Sequence, residues 1–245
     1  QNFLGIEKRR WVLSDDNTLP ITQSKQISVG INYEKNDLYF GLEGFYKRVD
    51  GISTTTQGFQ NENQFNGEIG IYDVRGVELL INKRGLDYST WFSYTYNKND
   101  YTFDSILPNR FPNNLDNLHT LTLDGTNTYK NLKLGLGVNY RTGRLFTEPL
   151  EGDEALNTSV FPAQINYQNA NSSRLPGYFR ADASATYQFN LGRRVKANTG
   201  LSVLNITDRK NILNTYYRVA EDNQIETVEN ISLGITPNLS FRVSF

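Results

Sequence analysis

One pattern constrains this chain more than any other. Apolar and polar residues alternate with period two, in segment after segment. Leu132, Leu134, Leu136, Val138 and Tyr140 oppose Lys133, Gly135, Gly137, Asn139 and Arg141. Successive side chains of a strand point to opposite faces, so this spacing predicts a strand with one apolar and one wet face. The last nine residues, Pro237 to Phe245, repeat it: Leu239, Phe241, Val243 and Phe245 on one face, Asn238, Ser240, Arg242 and Ser244 on the other.

Further segments follow the same rule. Ile27, Val29, Ile31 and Tyr33 form a row that ends at a tight turn over Lys35-Asn36-Asp37, where Asn and Asp suit the backbone of a short hairpin loop. Leu38, Phe40, Leu42 and Tyr46 share a face opposite Tyr39, Glu43, Phe45 and Lys47. Val77, Leu79 and Ile81 precede a turn at Lys83-Arg84-Gly85, and Phe92, Tyr94 and Tyr96 lie beyond it. A weaker strand carries Leu121 and Leu123. Phe179, Ala181, Ala183, Ala185, Tyr187 and Phe189 lead through Leu191-Gly192-Arg193 into Val195, Ala197, Thr199, Leu201 and Val203. Polar loops are expected over 50–68, 104–117, 143–177 and 207–235, the last with a short hairpin about Glu221-Asp222-Asn223.

The count is about nine strands, and their connections alternate short and long, as in outer-membrane barrels with tight periplasmic turns and long outer loops. Hydrophobic residues make up 38% of the 245, and the mean hydropathy is −0.55. No apolar run is long enough for a transmembrane helix. A barrel tolerates such a composition because alternation hides its apolar residues. Strands of about ten residues, tilted near 45°, cover about 23 Å, close to the apolar band of such barrels. Tyr33, Tyr46, Tyr96, Tyr140, Tyr187 and Phe189 lie near strand ends, where an aromatic girdle belongs. The expected fold is therefore all-β, a transmembrane antiparallel barrel of the bacterial outer membrane. A net charge of −1 gives no reason to expect a nucleic-acid partner. No cysteine is present, and a single histidine argues against a zinc site. No cofactor, metal or catalytic residue is assigned.

Three segments carry a family resemblance. Arg174-Leu175-Pro176-Gly177-Tyr178-Phe179-Arg180-Ala181-Asp182-Ala183-Ser184 is similar to the "RLPxYxRLDLS" stretch of TonB-dependent outer-membrane receptors. Ser202 to Asn211 resembles their "NLFDRxN" segment, with Ile206-Thr207 in place of Leu-Phe. Val74-Arg75-Gly76-Val77-Glu78-Leu79 is similar to a "xxGvEle" strand start, and a closing Phe fits the family. The resemblance implies a barrel of about 22 strands occluded by an N-terminal plug. It implies a TonB-ExbB-ExbD partnership and import of a scarce nutrient: a ferric siderophore, a vitamin, a glycan or a peptide. This chain would supply the C-terminal wall over 1–245, with the plug and earlier strands preceding Gln1, because an odd number of strands does not close neatly. The Tyr and Asn content leans toward receptors of Bacteroidota, some of which work with a surface lipoprotein lid.

On the wet faces, Glu43, Lys47, Trp91, Arg141, Arg180, Asp182 and Lys196 are the candidates for contact with plug or substrate. Glu78, Lys133 and Arg242 share those faces, and Gly135 and Gly137 leave room for a plug to approach. Arg180 and Asp182, two apart, are expected to form an ion pair within the wall or to the plug. Phe241 and Phe245 are the candidate barrel-assembly signal, with Phe245 placed at the periplasmic side. Lys8-Arg9-Arg10 is a candidate contact for lipopolysaccharide phosphates, and Glu151-Gly152-Asp153-Glu154 a weak candidate for calcium. Two rival readings stand beside the transporter. One is a small barrel hydrolase using His119 with an acid such as Asp116 or Asp124; the other is a structural barrel without transport.

Overall fold

The structure, a computed structural model, describes residues 13–15, 19–54, 67–192 and 194–244. Phe245, Lys8-Arg9-Arg10 and most of the 50–68 loop lie outside the described residues. Four long strands come first: β1 (Gln23–Lys35), β2 (Leu38–Ser53), β3 (Ile69–Arg84) and β4 (Tyr88–Thr102). A short β5 (Arg110–Pro112) pairs back on the end of β4 before β6 (His119–Tyr129) and β7 (Leu132–Arg141). Within the long connection that follows are β8 (Leu145–Phe146), a 3₁₀ turn over Gly152–Ala155, β9 (Leu156–Asn157), β10 (Gln164–Ile165) and β11 (Ser173–Arg174). The wall resumes with β12 (Tyr178–Leu191) and β13 (Val195–Leu204). A separate hairpin of β14 (Ile212–Val219) and β15 (Ile225–Ile231) precedes the last strand, β16 (Thr236–Ser244).

The wall is one antiparallel sheet in the order β1-β2-β3-β4-β6-β7-β12-β13-β16. Chain neighbours pair throughout, and no described strand covers the outer edge of β1 or β16. Tight turns join the strands at one end. The first, at Asn36-Asp37, has both residues at positive φ, 51° and 59°. Two left-handed residues give the twist that a two-residue hairpin needs, and Asn and Asp tolerate them.

Register turns the alternation along each strand into rows across the sheet. Ile31, Leu42, Leu79, Tyr94, Leu121, Tyr140 and Phe179 are successive cross-strand partners. So are Tyr33, Phe40, Ile81, Phe92, Leu123, Val138 and Ala181. Between them, on the other face, runs Asn32, Gly41, Leu80, Ser93, Thr122, Asn139 and Arg180. A slip of one residue in any strand would break both apolar rows, so the sequence pattern specifies the register strongly. All six expected girdle aromatics lie on the apolar face, and so does Phe241, paired with Thr199. Leu134, Leu136, Leu201, Leu239 and Phe241 are exposed in the chain alone, as a lipid-facing surface must be.

Strands β2, β3 and β4 contain 16, 16 and 15 residues, longer than the expected ten or so. Their added length carries the main buried core, at the end where the long connections lie. Val49, Ile52, Tyr101, Phe103, Ile106, Phe111 and Ala170 pack there, and Phe103 is fully buried. The rings of Tyr101, Phe103 and Phe111 have centroids 5.6 to 6.1 Å apart, a range suited to tilted and offset ring contacts. The stretch read as loop 104–117 is thus partly ordered packing over the polar face.

Close approach explains one glycine of the family-like motifs. A Cβ on Gly76 would run into the backbone oxygen of Tyr96 and the ring of Phe45 on the neighbouring strands. Backbone cannot yield as a flexible side chain can. Gly76→Ala is therefore expected to cost about 2 kcal/mol and to lower the temperature at which the folded band is lost in heat-modifiability gels.

Candidate functional site

Every sequence-predicted wet-face residue sits on the face opposite the apolar rows, but the structure gathers only some of them. Lys47 lies toward the long-connection end of β2, and Lys196 lies near the opposite end of β13. Glu43 is directly opposite Glu78, and Trp91 is opposite Asp124. Arg141, Arg180 and Asp182 come together with residues that the sequence reading did not single out. Thr120, Thr122, Asn139, Arg141, Tyr178 and Arg180 line a recess of about 360 Å³ on β6, β7 and β12.

Its charge is uneven. The Arg180 guanidinium grips Asp182 with three bonds, Nε to Oδ1 at 2.7 Å and Nε and Nη2 to Oδ2 at 3.0 and 2.7 Å. The expected ion pair thus forms within the wall, between residues of one strand. Asp182 also accepts the backbone N–H of Asn205 at 2.8 Å. Arg141 instead lies over the Tyr178 ring, 4.7 Å from its centroid, a cation–π arrangement. Among the described residues it has no carboxylate partner. The recess therefore presents one uncompensated guanidinium amid hydroxyl and amide groups, a combination that favours an anionic or oxygen-rich ligand. Gly135 and Gly137 are less open than expected, since a Cβ there would crowd Ser184 Oγ and Asp124 Oδ1.

The motifs that carry the family resemblance meet beside this recess. Asn211 is buried and behaves like a strand partner for Phe179: it accepts the Phe179 N–H and donates to the Phe179 carbonyl, each at 2.9 Å. Buried Asn205, at φ 52°, donates to the carbonyls of Arg209 and Leu233. Arg209 donates to the Gly177 carbonyl at 2.8 Å. Asp208 accepts from the Ile235 N–H, which sets the start of β16. These side chains substitute for ladder bonds where β12, β13 and β16 emerge at the long-connection end. Asn211→Ala would orphan two backbone groups of Phe179. It is expected to cost about 2 to 3 kcal/mol, read as a lower denaturant midpoint for the folded band.

Arg174 clasps the outer connections together. It donates to Asp116 Oδ2 at 2.7 Å, to the Asp116 carbonyl at 2.7 Å and to the Gly143 carbonyl at 2.8 Å. Asn171 reaches the Pro112 carbonyl at 2.9 Å, and Tyr167 meets Tyr217 of the β14–β15 hairpin at 6.4 Å. Burial holds both phenols above the ordinary tyrosine range, and Glu148 adds to the effect at Tyr217.

His119 does not assemble a hydrolytic site. Its Nδ1 lies 2.8 Å from the Tyr94 hydroxyl, and its ring stands beside Tyr94 and Tyr96 on the apolar face. Asp124 is on the other face, and Asp116 is engaged by Arg174. Glu151, Asp153 and Glu154 are exposed at one turn, and no group of three or more acidic or histidine side chains converges for a metal among the described residues.

Residues 11–206 match the family described as TonB dependent receptor-like, beta-barrel. The chain belongs to that family and is part of an outer-membrane β-barrel of Gram-negative bacteria. No curated protein matches the sequence. Among solved structures it is similar to the ferric yersiniabactin uptake receptor FyuA from Yersinia pestis, at 16% identity and a TM-score of 0.63, covering 91% of this chain and 29% of that one. The ferric-catecholate import receptor Fiu from E. coli matches at 14% identity and a TM-score of 0.60, covering 95% and 30%. The siderophore receptor PiuA from Acinetobacter baumannii matches at 19% and 0.54, covering 94% and 30%. The chain spans less than a third of the length of these receptors, and the likeness is one of fold. The family and these neighbours are receptors and transporters, not enzymes.

Proposed function

We propose that this chain is the C-terminal wall of a TonB-dependent transporter that imports a ferric chelate across the outer membrane. The observation that carries this reading is the wall itself. No described strand covers either of its edges, one face is lipid-compatible, and the polar face bears Arg141, which has no carboxylate partner among the described residues. A barrel has no free edges, so further strands complete it, and membership of the receptor family carries with it a plug in the lumen. The polar face then lines that lumen, and Glu43, Lys47, Trp91, Arg141, Arg180, Asp182 and Lys196 face plug or substrate. The long connections stand outside the cell and the tight turns in the periplasm, and Phe241, with Phe245 beyond the described residues, is the candidate assembly signal. TonB, with ExbB and ExbD, acts on a segment outside this chain.

Arg141 favours a negatively charged cargo over a neutral glycan, and two of the three solved neighbours are named for uptake or import of a ferric chelate and the third as a siderophore receptor. A vitamin, glycan or peptide cargo, or a lipoprotein lid, would leave the wall unchanged. The test is accumulation of radiolabelled iron chelates by cells expressing the full-length protein, with and without TonB. Uptake of an anionic ferric chelate that vanishes without TonB supports the proposal. Growth or uptake indifferent to TonB returns the protein to a structural barrel.

A further inference from the structure

The β14–β15 hairpin stands apart from the wall sheet, and one of its faces meets the 143–177 connection. Register sorts its residues. Thr215 pairs with Glu229, Tyr217 with Thr227 and Val219 with Ile225, so these side chains share a face. Tyr216, Arg218, Glu226 and Val228 take the other. Tyr217 meets the Tyr167 ring edge to face, with centroids 6.4 Å apart. In the connection itself, Pro149 bridges Tyr167, and the N–H of Gln168 donates to the Glu148 carbonyl at 2.8 Å. That backbone pairing holds Glu148 next to Tyr167, close enough for its charge to act on Tyr217.

The cluster is oxygen-rich and negatively charged. Glu148 and Glu229 have no ion-pair partner among the described residues. Burial first, then Glu148, Tyr167 and Glu229, hold the Tyr217 phenol above the ordinary tyrosine range, and no cation is among the groups that act on it. Thr215 shares the face that meets the connection. It is 9% exposed, and its Oγ1 is buried without a hydrogen-bond partner. A buried hydroxyl left unpaired costs free energy, and nearly all such groups in folded proteins are satisfied. A donor brought in by a ligand would satisfy this one, and a positive charge on that donor would offset the two carboxylates.

We propose that Glu148, Tyr167, Thr215, Tyr217 and Glu229 form a binding site for the primary ammonium group of a small amine. Such an ammonium has three N–H donors, which match the two carboxylates and the Thr215 hydroxyl, while the tyrosine rings offer their π faces to the charge. A calcium ion fits less well. It takes about six to eight oxygen ligands, and no group of three or more acidic or histidine side chains converges among the described residues. The site is separate from the recess at Arg141 and prefers the opposite charge. It therefore depends on neither the cargo nor the orientation given under Proposed function.

The experiment uses the full-length protein in a non-ionic detergent and follows butylammonium by saturation-transfer NMR, with 1-butanol and tetramethylammonium as comparators. Butylammonium is expected to bind and the neutral alcohol not to. Tetramethylammonium, which has no N–H, is expected to bind about tenfold more weakly than butylammonium. E148Q and E229Q are each expected to weaken butylammonium binding about tenfold, and T215V about fivefold. The valine variant removes no hydrogen bond within the chain, so its folded band should keep its heat stability while binding falls. E226Q removes an acid from the opposite face of the same hairpin and is expected to leave binding unchanged. Heat-modifiable mobility checks that each variant is folded; should a glutamate variant not fold, T215V decides the matter. Binding unaltered in T215V, E148Q and E229Q overturns the site. Weakening by E226Q equal to that by E229Q means general attraction to an acidic surface and also overturns it. Calcium that displaces butylammonium, and binds more tightly than it in separate titrations, overturns the assignment to an amine.

Discussion

Replacing Asp116 with alanine is expected to loosen the whole long-connection end, at a cost of about 3 kcal/mol. Asp116 is almost fully buried, and two demands fall on its carboxylate: the N–H of Asn99 at 2.8 Å and the guanidinium of Arg174 at 2.7 Å. Alanine leaves the N–H without an acceptor and a half-buried cation without its counter-charge. Because Arg174 anchors the 143–177 connection to the 104–117 connection, the penalty appears locally, as opening of the outer loops. An opening free energy lowered by about 3 kcal/mol raises the open population roughly a hundredfold. Limited trypsin digestion of outer-membrane vesicles measures it, with cleavage at exposed Arg144 expected far earlier than in the unaltered protein. Asp116→Asn keeps an acceptor for Asn99 and is expected to show roughly half the effect. Unchanged protection in the alanine variant would mean that the loops are held by something other than this clasp.

The second large effect belongs to Arg141. Its side chain lies in the recess, stacked on Tyr178 and free of any described carboxylate, so its charge is available to a ligand. Arg141→Ala is expected to weaken binding of an anionic ferric chelate about thirtyfold or more, since truncating a desolvated charge contact costs about 2 kcal/mol or more. Arg141→Lys retains the charge but loses the planar stacking on Tyr178, and recovers only part of the affinity. Titration of the purified full-length protein with the chelate, read by quenching of its aromatic fluorescence, separates the three. Both variants should keep the folded band in heat-modifiability gels, because the residue supports no ladder bond through its side chain. Identical affinity in all three would move chelate recognition away from this recess.

The two faces of the wall were legible because period-two alternation and register are the same information seen along and across the sheet. Ile31 and Leu42 were read from separate segments and proved to be direct partners. The wet-face residues could be assigned for the same reason. Their grouping could not. Arg141 and Tyr178 meet only because β12 pairs with β7 after a connection of 36 residues, 142–177, and no local pattern announces that pairing. The part of the core at Ile106 and Phe111 falls in the expected loop 104–117 because it forms around a three-residue strand, too short for any periodicity to register. Asn205 and Asn211 lie in a motif noted for resemblance alone. Their chemistry is that of buried amides replacing ladder bonds, and an amide in sequence gives no sign of whether it is buried. The Arg174–Asp116 clasp spans 58 residues. Arg180 and Asp182, two apart on one face, needed no tertiary information, and that pair was anticipated.

The most direct test is to ask which face of β7 meets lipid. The chain has no cysteine of its own, so single cysteines placed in it are unambiguous within it. Substituted one at a time in the full-length protein in outer membranes, Leu134, Leu136 and Val138 are predicted to react with a membrane-dissolved maleimide and to resist a charged, water-soluble one. Lys133 and Asn139 are predicted to do the reverse. Labelling that ignores this alternation, or follows the opposite one, would contradict a wall with lipid on one face and an aqueous or plug-filled interior on the other.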